Sequence, residues 1–218
     1  ERDGAGAMVF DTPPAGEVAI TASAVGGAVA VSFTSVEPIV RELDPAVLEH
    51  ALGLLSLRVD DLHPAYPPRE SFAGNWHPIL VLEDPEIFHQ FRFAPDPIAA
   101  LMREQGWTGT MTVLLPLADH EFAARNIFPV ARITEDPATG SAAAATGAYL
   151  RAIGRVPASR AVRIHQARTW AGRACSRSMS RRKAGSSSPA GLRRSADQRG
   201  HGMCCRVQVL PSGSANPA

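Results

Sequence analysis

The chain has 218 residues, 45% hydrophobic and 20% charged, with a formal net charge of +1, which is enough for one large or two small globular domains. It holds no run of 18 apolar residues, which excludes a membrane-spanning helix, and Glu1-Arg2-Asp3-Gly4 does not read as the head of a signal peptide, so a cytoplasmic protein is expected. The mean charge hides a break: residues 1–166 carry twelve arginines and no lysine against twenty acidic residues, a net of −8, while residues 167–218 carry ten basic residues and one acid, Asp197. The cysteines (Cys175, Cys204, Cys205) and the only lysine, Lys183, lie in that basic segment, whose few aliphatics and Ser186-Ser187-Ser188 resist folding. The acidic body has no cysteine, so disulfides and thiol catalysis are excluded there.

Val18–Ala22 and Ala28–Phe33 are β-rich runs separated by Gly26-Gly27, which predicts a hairpin. Asp44 before Pro45 gives an N-cap with proline at the first helical position, and Val47, Leu48, Ala51, Leu52 and Leu55 follow at helical spacing. The proline-rich stretch from Asp61 to Gly74 predicts a surface loop, and Ile79-Leu80-Val81-Leu82 a buried strand. Asp96-Pro97 repeats the cap signal for a helix through Met102 that stops at Gly106. Strands are predicted at Met111–Leu115 and Phe122–Phe128, and a Gly/Ala-rich helix from Thr139 to Ile153, ended by Gly154. Strands and helices alternate, so the fold class is α+β or α/β.

The most informative run is Ala124 to Ala143. Asp136-Pro137 ends a strand, and Thr139-Gly140-Ser141 opens a helix whose first residues are tiny, so its first-turn amides face open space and offer a site for a carboxylate. Asp136 and Glu135, two neighbouring acids, could hold or shuttle protons. The competing reading is structural: small residues serve close helix-to-sheet packing, and Asp caps the helix.

Glu135-Asp136-Pro137-Ala138-Thr139-Gly140-Ser141-Ala142, preceded by Arg125 and Phe128-Pro129, resembles the signature of the PhzF family of phenazine-biosynthesis-like isomerases. The likeness extends more loosely over residues 7–166, through Gly74-Asn75-Trp76-His77 and Ile164-His165-Gln166. The resemblance implies a diaminopimelate epimerase-like α+β fold, each domain a curled mixed sheet around a central helix, with the active site between two domains. It implies a cofactor-independent, metal-free proton shift on a small carboxylic acid, commonly by a homodimer. Asp136 would be the catalytic acid lining the reaction centre. Thr139, Gly140 and Ser141 would bind the substrate carboxylate, with Gly74 and Asn75 as weaker candidates for the opposite wall. By the same resemblance residues 1–37 are a remnant of the first domain, 38–166 most of the second, and 167–218 a basic tail.

The family's opening strand, catalytic glutamate and Gly-His pair, expected before Met8, do not occur in this sequence, so impaired catalysis is expected of it. After Gln166 the family continues with Met-Gly-Arg-Pro, where this chain has Thr169-Trp170-Ala171-Gly172-Arg173. One lost base reconciles them: Thr169 into Trp170 can give Met, Trp170 into Ala171 must give Gly, and the next two junctions can give Arg and Pro. A frame-shifted tail is therefore expected. The alternatives are a non-catalytic small-acid binding module and a genuine basic tail that binds nucleic acid, the least expected partner. His50, His63, His77, His89, His120 and His165 have no metal-site spacing, and His77 keeps a small weight as a cleft residue. Trp76 and Trp107 read as packing residues.

Overall fold

The computed structural model describes residues 6–12, 16–25, 28–33, 35–131, 133–157, 160–166 and 206–209, with side chains described for 35–131, 133–157 and 160–166. Three strands, β1 (Gly6–Thr12), β2 (Gly16–Val25) and β3 (Ala28–Phe33), form an antiparallel sheet in sequence order. The β2–β3 pair, with Val25 opposite Ala28, is the hairpin expected around Gly26-Gly27.

A second sheet begins with β4 (Ile39–Glu42), β5 (Arg69–Phe72) and β6 (Trp76–Val81), and continues with β7 (Met111–Ala118), β8 (Glu121–Ile127) and β9 (Val162–Gln166). Within the basic segment, Arg206–Val209 adds β10 against β9, and the spatial order runs β10-β9-β8-β7-β6-β5-β4. The sheet is open and mixed: β6–β7 and β8–β9 are parallel, the other pairs antiparallel. The fold is α+β. The remaining residues of the basic segment, its cysteines included, lie outside the described residues, and so does the frame-shift expectation.

Each parallel pair needs a crossover, and the two crossovers cover opposite faces. On one face α1 (Pro45–Leu54), α2 (Pro85–Gln90) and α3 (Pro95–Glu104) pack on Leu80, Met111, Val113, Leu115, Ala123 and Ile127. On the other, α4 (Gly140–Ala152) packs on Ile79, Val81, Leu114, Phe122, Ala124 and Ile164. The division follows the period-two alternation of side chains along each strand. Ala142, Ala143 and Ala145 are buried, and Ser71 Oγ donates to the Ala145 carbonyl at 2.9 Å, pinning α4 to β5.

Asp44 caps α1 as expected, its Oδ1 accepting from Ala46 N at 2.8 Å. Three expectations need correction. The stretch 61–74 is not all loop, because it holds β5; its polar sequence hides a strand whose buried polar groups find distant partners, Glu70 accepting from Trp107 Nε1 at 3.1 Å. The helix read from Asp96-Pro97 starts at Pro95 with Ala94 as N-cap, and Asp96 lies in its first turn without capping it. The strand expected to end at Asp136 is only a single bridge, Ile127 to Glu135. The short α2 was not foreseen, although Asp84-Pro85 caps it, Asp84 Oδ1 accepting from Glu86 N at 2.6 Å.

Candidate functional site

The N-terminus of α4 stands over a row of buried polar side chains. His77 on β6, Thr112 on β7, Asn126 on β8 and Gln166 on β9 occupy consecutive strands, on the α4 face of the sheet by the alternation described above, and none is more than 1% exposed. With Ser71, opposite His77 on β5, they are buried polar groups in a largely apolar layer, which is costly unless they are bonded. They are bonded to one another's neighbours and to the start of the helix.

Gln166 grips the cap residue on both sides: its Oε1 accepts from Thr139 N at 2.6 Å and its Nε2 donates to Thr139 O at 3.2 Å. Asp136 N donates to Asn126 O at 2.8 Å, which holds the loop onto β8. The Asp136 carboxylate accepts from Ala138 N at 3.1 Å and from Thr139 Oγ1 at 2.7 Å. The Thr139 hydroxyl donates to Asp136 and accepts from no amide of the first turn, so among the described residues no side chain caps α4. Ala143 N bonds to Thr139 O at 3.2 Å, so the amides of Gly140, Ser141 and Ala142 precede that intrahelical bond. The first turn also has no acidic residue. Uncapped amides at the positive end of a helix favour an anion.

Beside those amides, Ser141 Oγ lies 3.1 Å from His77 Nε2. His77 is fully buried, and burial lowers its pKa to about 4, so the ring is neutral at neutral pH. Behind it Thr110 Oγ1, Thr112 Oγ1 and Asn126 Oδ1 form a buried network, the two hydroxyls reaching Asn126 at 3.3 and 3.1 Å. Asn126 Nδ2 has no partner among the described residues.

The loop thus brings Asp136, Thr139, Gly140 and Ser141 together. Gly74 and Asn75 form the β5–β6 turn, Gly74 at φ 90°, which suits glycine. Among the described residues they make no hydrogen bond to the start of α4, and their link to it runs through His77, two residues beyond Asn75. The Glu135 carboxylate, the neighbouring acid, is bound by Arg125. Arg125, 4% exposed, also donates to Phe88 O at 3.0 Å and stacks on Phe91, so this ion pair ties the loop to α2. Thr110, Thr112 and Asn126 carry no signal in the sequence, because isolated polar residues in or beside apolar strands have no periodic pattern. Gln166 stands out in the sequence only through the family resemblance of Ile164-His165-Gln166.

An open hollow of about 570 Å³ lies at the opposite end of α4, lined by Arg41, Glu42, Arg69, Ile153 and Arg155 among others. Its arginines are already engaged, by Glu70, by Glu42 and by the Ala65 carbonyl. The helix end beside it presents carbonyls, so it competes poorly with the N-terminal site for an anion. Among the described residues no group of three or more His, Cys, Asp or Glu side chains is placed to hold a metal ion, and no helix is long and apolar enough to cross a membrane.

The chain is 37% identical over 110 residues to a protein from Deinococcus radiodurans named "uncharacterized isomerase", covering 50% of this chain and 34% of that protein. Its fold is similar to the crystal structure of a Bacillus anthracis phenazine biosynthesis protein of the PhzF family: TM-score 0.60, 17% identity, 75% of this chain and 56% of that one. It is also similar to a structure described as a predicted epimerase from Pseudomonas aeruginosa: TM-score 0.62, 22% identity, 78% of this chain and 57% of that one. The chain therefore spans about a third of the length of the curated relative and little more than half that of the solved structures. The family model for phenazine biosynthesis-like proteins (PhzC-PhzF) matches residues 2–180, and the chain belongs to that family.

Proposed function

We propose that this chain supplies the substrate-holding half of an isomerase that shifts a proton on a small carboxylic acid without a cofactor. The observation that carries this reading is the uncapped start of α4, where the amides of Gly140, Ser141 and Ala142, without a partner among the described residues, lie beside the Ser141 hydroxyl with no acidic residue in the turn. A carboxylate seated there would stand next to Asp136, whose position is fixed by its bonds to Ala138 and Thr139. In this reading Asp136 lines the reaction centre as the acid, and the proton-moving glutamate comes from the other half of the family fold. The names of the relatives, isomerase and predicted epimerase, support the same class of chemistry.

The test is deuterium wash-in. A protein joining this chain to a glutamate-bearing first half is incubated in D₂O with a panel of small carboxylic acids, and label at carbon is read by mass spectrometry. Exchange is expected, reduced about a hundredfold or more in Asp136→Asn, the usual range for one general acid or base. Carboxylate binding should survive that substitution. Binding without exchange in the parent protein would replace this reading with that of a non-catalytic small-acid binding module.

A further inference from the structure

We infer that His77 is a positioning residue that turns Ser141 into an outward-facing hydrogen-bond donor for the bound carboxylate, and is not a base that activates the serine. The inference rests on the carboxylate-holding reading of α4 and adds a residue to it.

A serine hydroxyl 3.1 Å from a histidine ring nitrogen has two opposite meanings. If Nε2 is bare, it draws the serine proton and makes a nucleophile. If Nε2 carries the proton, it donates to Oγ, and the serine proton must point elsewhere. The other ring nitrogen decides. Nδ1 lies 2.9 Å from Thr110 N, 3.1 Å from Thr110 O and 3.1 Å from Thr110 Oγ1. Hydroxyl protons rotate and a carbonyl can wait for another donor, but the Thr110 amide hydrogen is fixed by the peptide plane and points at Nδ1. A second hydrogen on Nδ1 would collide with it. Nδ1 is therefore the acceptor, and the proton sits on Nε2.

The ring packs against the turn that orients it. A Cβ on Gly109 would lie 2.3, 2.5 and 2.6 Å from three ring atoms, so the ring is laid directly on the Gly109 backbone. Gly109 N in turn bonds to Trp76 O at 3.1 Å, on the residue before His77. The strand that carries the histidine and the turn that orients it are thus stitched together. With Nε2–H occupying one lone pair of Ser141 Oγ, the hydroxyl proton is turned away from the ring and joins the amides of the first turn of α4 as a donor. Such a site takes an anionic acceptor such as a carboxylate and does no acyl chemistry.

The direct test is the tautomer, read by long-range ¹H–¹⁵N correlation of the ¹⁵N-labelled chain at neutral pH, with the His77 signals assigned by their loss in His77→Gln. A pyridine-like Nδ1 and a pyrrole-like Nε2 are expected; the reverse pattern, or two pyrrole-like nitrogens, would overturn the inference. Labelling of Ser141 by a fluorophosphonate would overturn it as well, because that requires a basic Nε2. For function, carboxylate affinity should fall about tenfold in His77→Phe and be largely kept in His77→Gln, whose amide can still donate. Equal affinity in a folded Phe variant would contradict a positioning role. If the parent protein binds no carboxylate, the site reading fails, while the tautomer and labelling results still decide what His77 does to Ser141.

Discussion

At the scale of single residues, Ser141 and Gly109 bear the most specific expectations. Ser141→Ala removes one charge-assisted hydrogen bond to a carboxylate, which corresponds to roughly 1.5–3 kcal/mol, or about ten- to a hundredfold in Kd. The loss should appear in a titration with small monocarboxylates, together with destabilisation of about 1–3 kcal/mol because the buried His77 Nε2–H loses its acceptor. Gly109→Ala puts a methyl into the His77 ring and should displace it. The expected signs are altered His77 ring signals and a weakened site, together with destabilisation of about 1–3 kcal/mol from overpacking. A Gly109→Ala variant with unperturbed His77 resonances would show that the close approach does not hold the ring.

At the scale of elements, Asp44-Pro45 at α1 and Gly154 after α4 announce their helix ends because capping and positive φ are local demands, met by local residue types. β5 was illegible for the opposite reason. Glu70 and Ser71 are buried only because Trp107, Arg41 and the Ala145 carbonyl reach them from 29 to 74 residues away. The same holds at the site: the anion-binding start of α4 could be read from its small residues, while the polar row that supports it depends on strand neighbours that only the fold provides. The Arg125–Glu135 pair gives an element-level prediction. Glu135→Ala leaves a buried guanidinium short of its partner, which costs on the order of 3–5 kcal/mol when one side of a buried pair is removed, somewhat less here because Glu135 is partly exposed. Chemical denaturation should show that loss, and the loop from Glu135 to Ala138 should become more susceptible to proteolysis.

At the scale of the whole molecule, the sheet carries α1, α2 and α3 on one face and α4 on the other, so the site at the start of α4 is tied directly to global stability. His77 makes this visible as a pH effect. Its ordinary pKa of 6.5 falls to about 4 in the folded chain, so the unfolded chain takes up a proton that the native state refuses. The contribution is fully present above pH 6.5 and is lost as the pH falls toward 4, by roughly 3 kcal/mol in all. Unfolding free energy should therefore decline over that interval, and His77→Gln should flatten the decline. Glu121, held below the usual carboxylate range chiefly by its hydrogen bond from His165, adds its own loss only at lower pH, below 4.5. A His77→Gln variant with an unchanged slope between pH 6.5 and 4 would show that the ring titrates normally in the folded state.

A carboxylate seated on the first turn of α4 should perturb the amides that hold it. The most direct test is to follow the backbone amide resonances of the chain during titration with a small monocarboxylate. Saturable shifts centred on Gly140, Ser141 and Ala142, weakened by Ser141→Ala, are expected. Shifts confined to the arginine-lined hollow at the other end of the helix, or none at these three amides at saturating carboxylate, would contradict that seating.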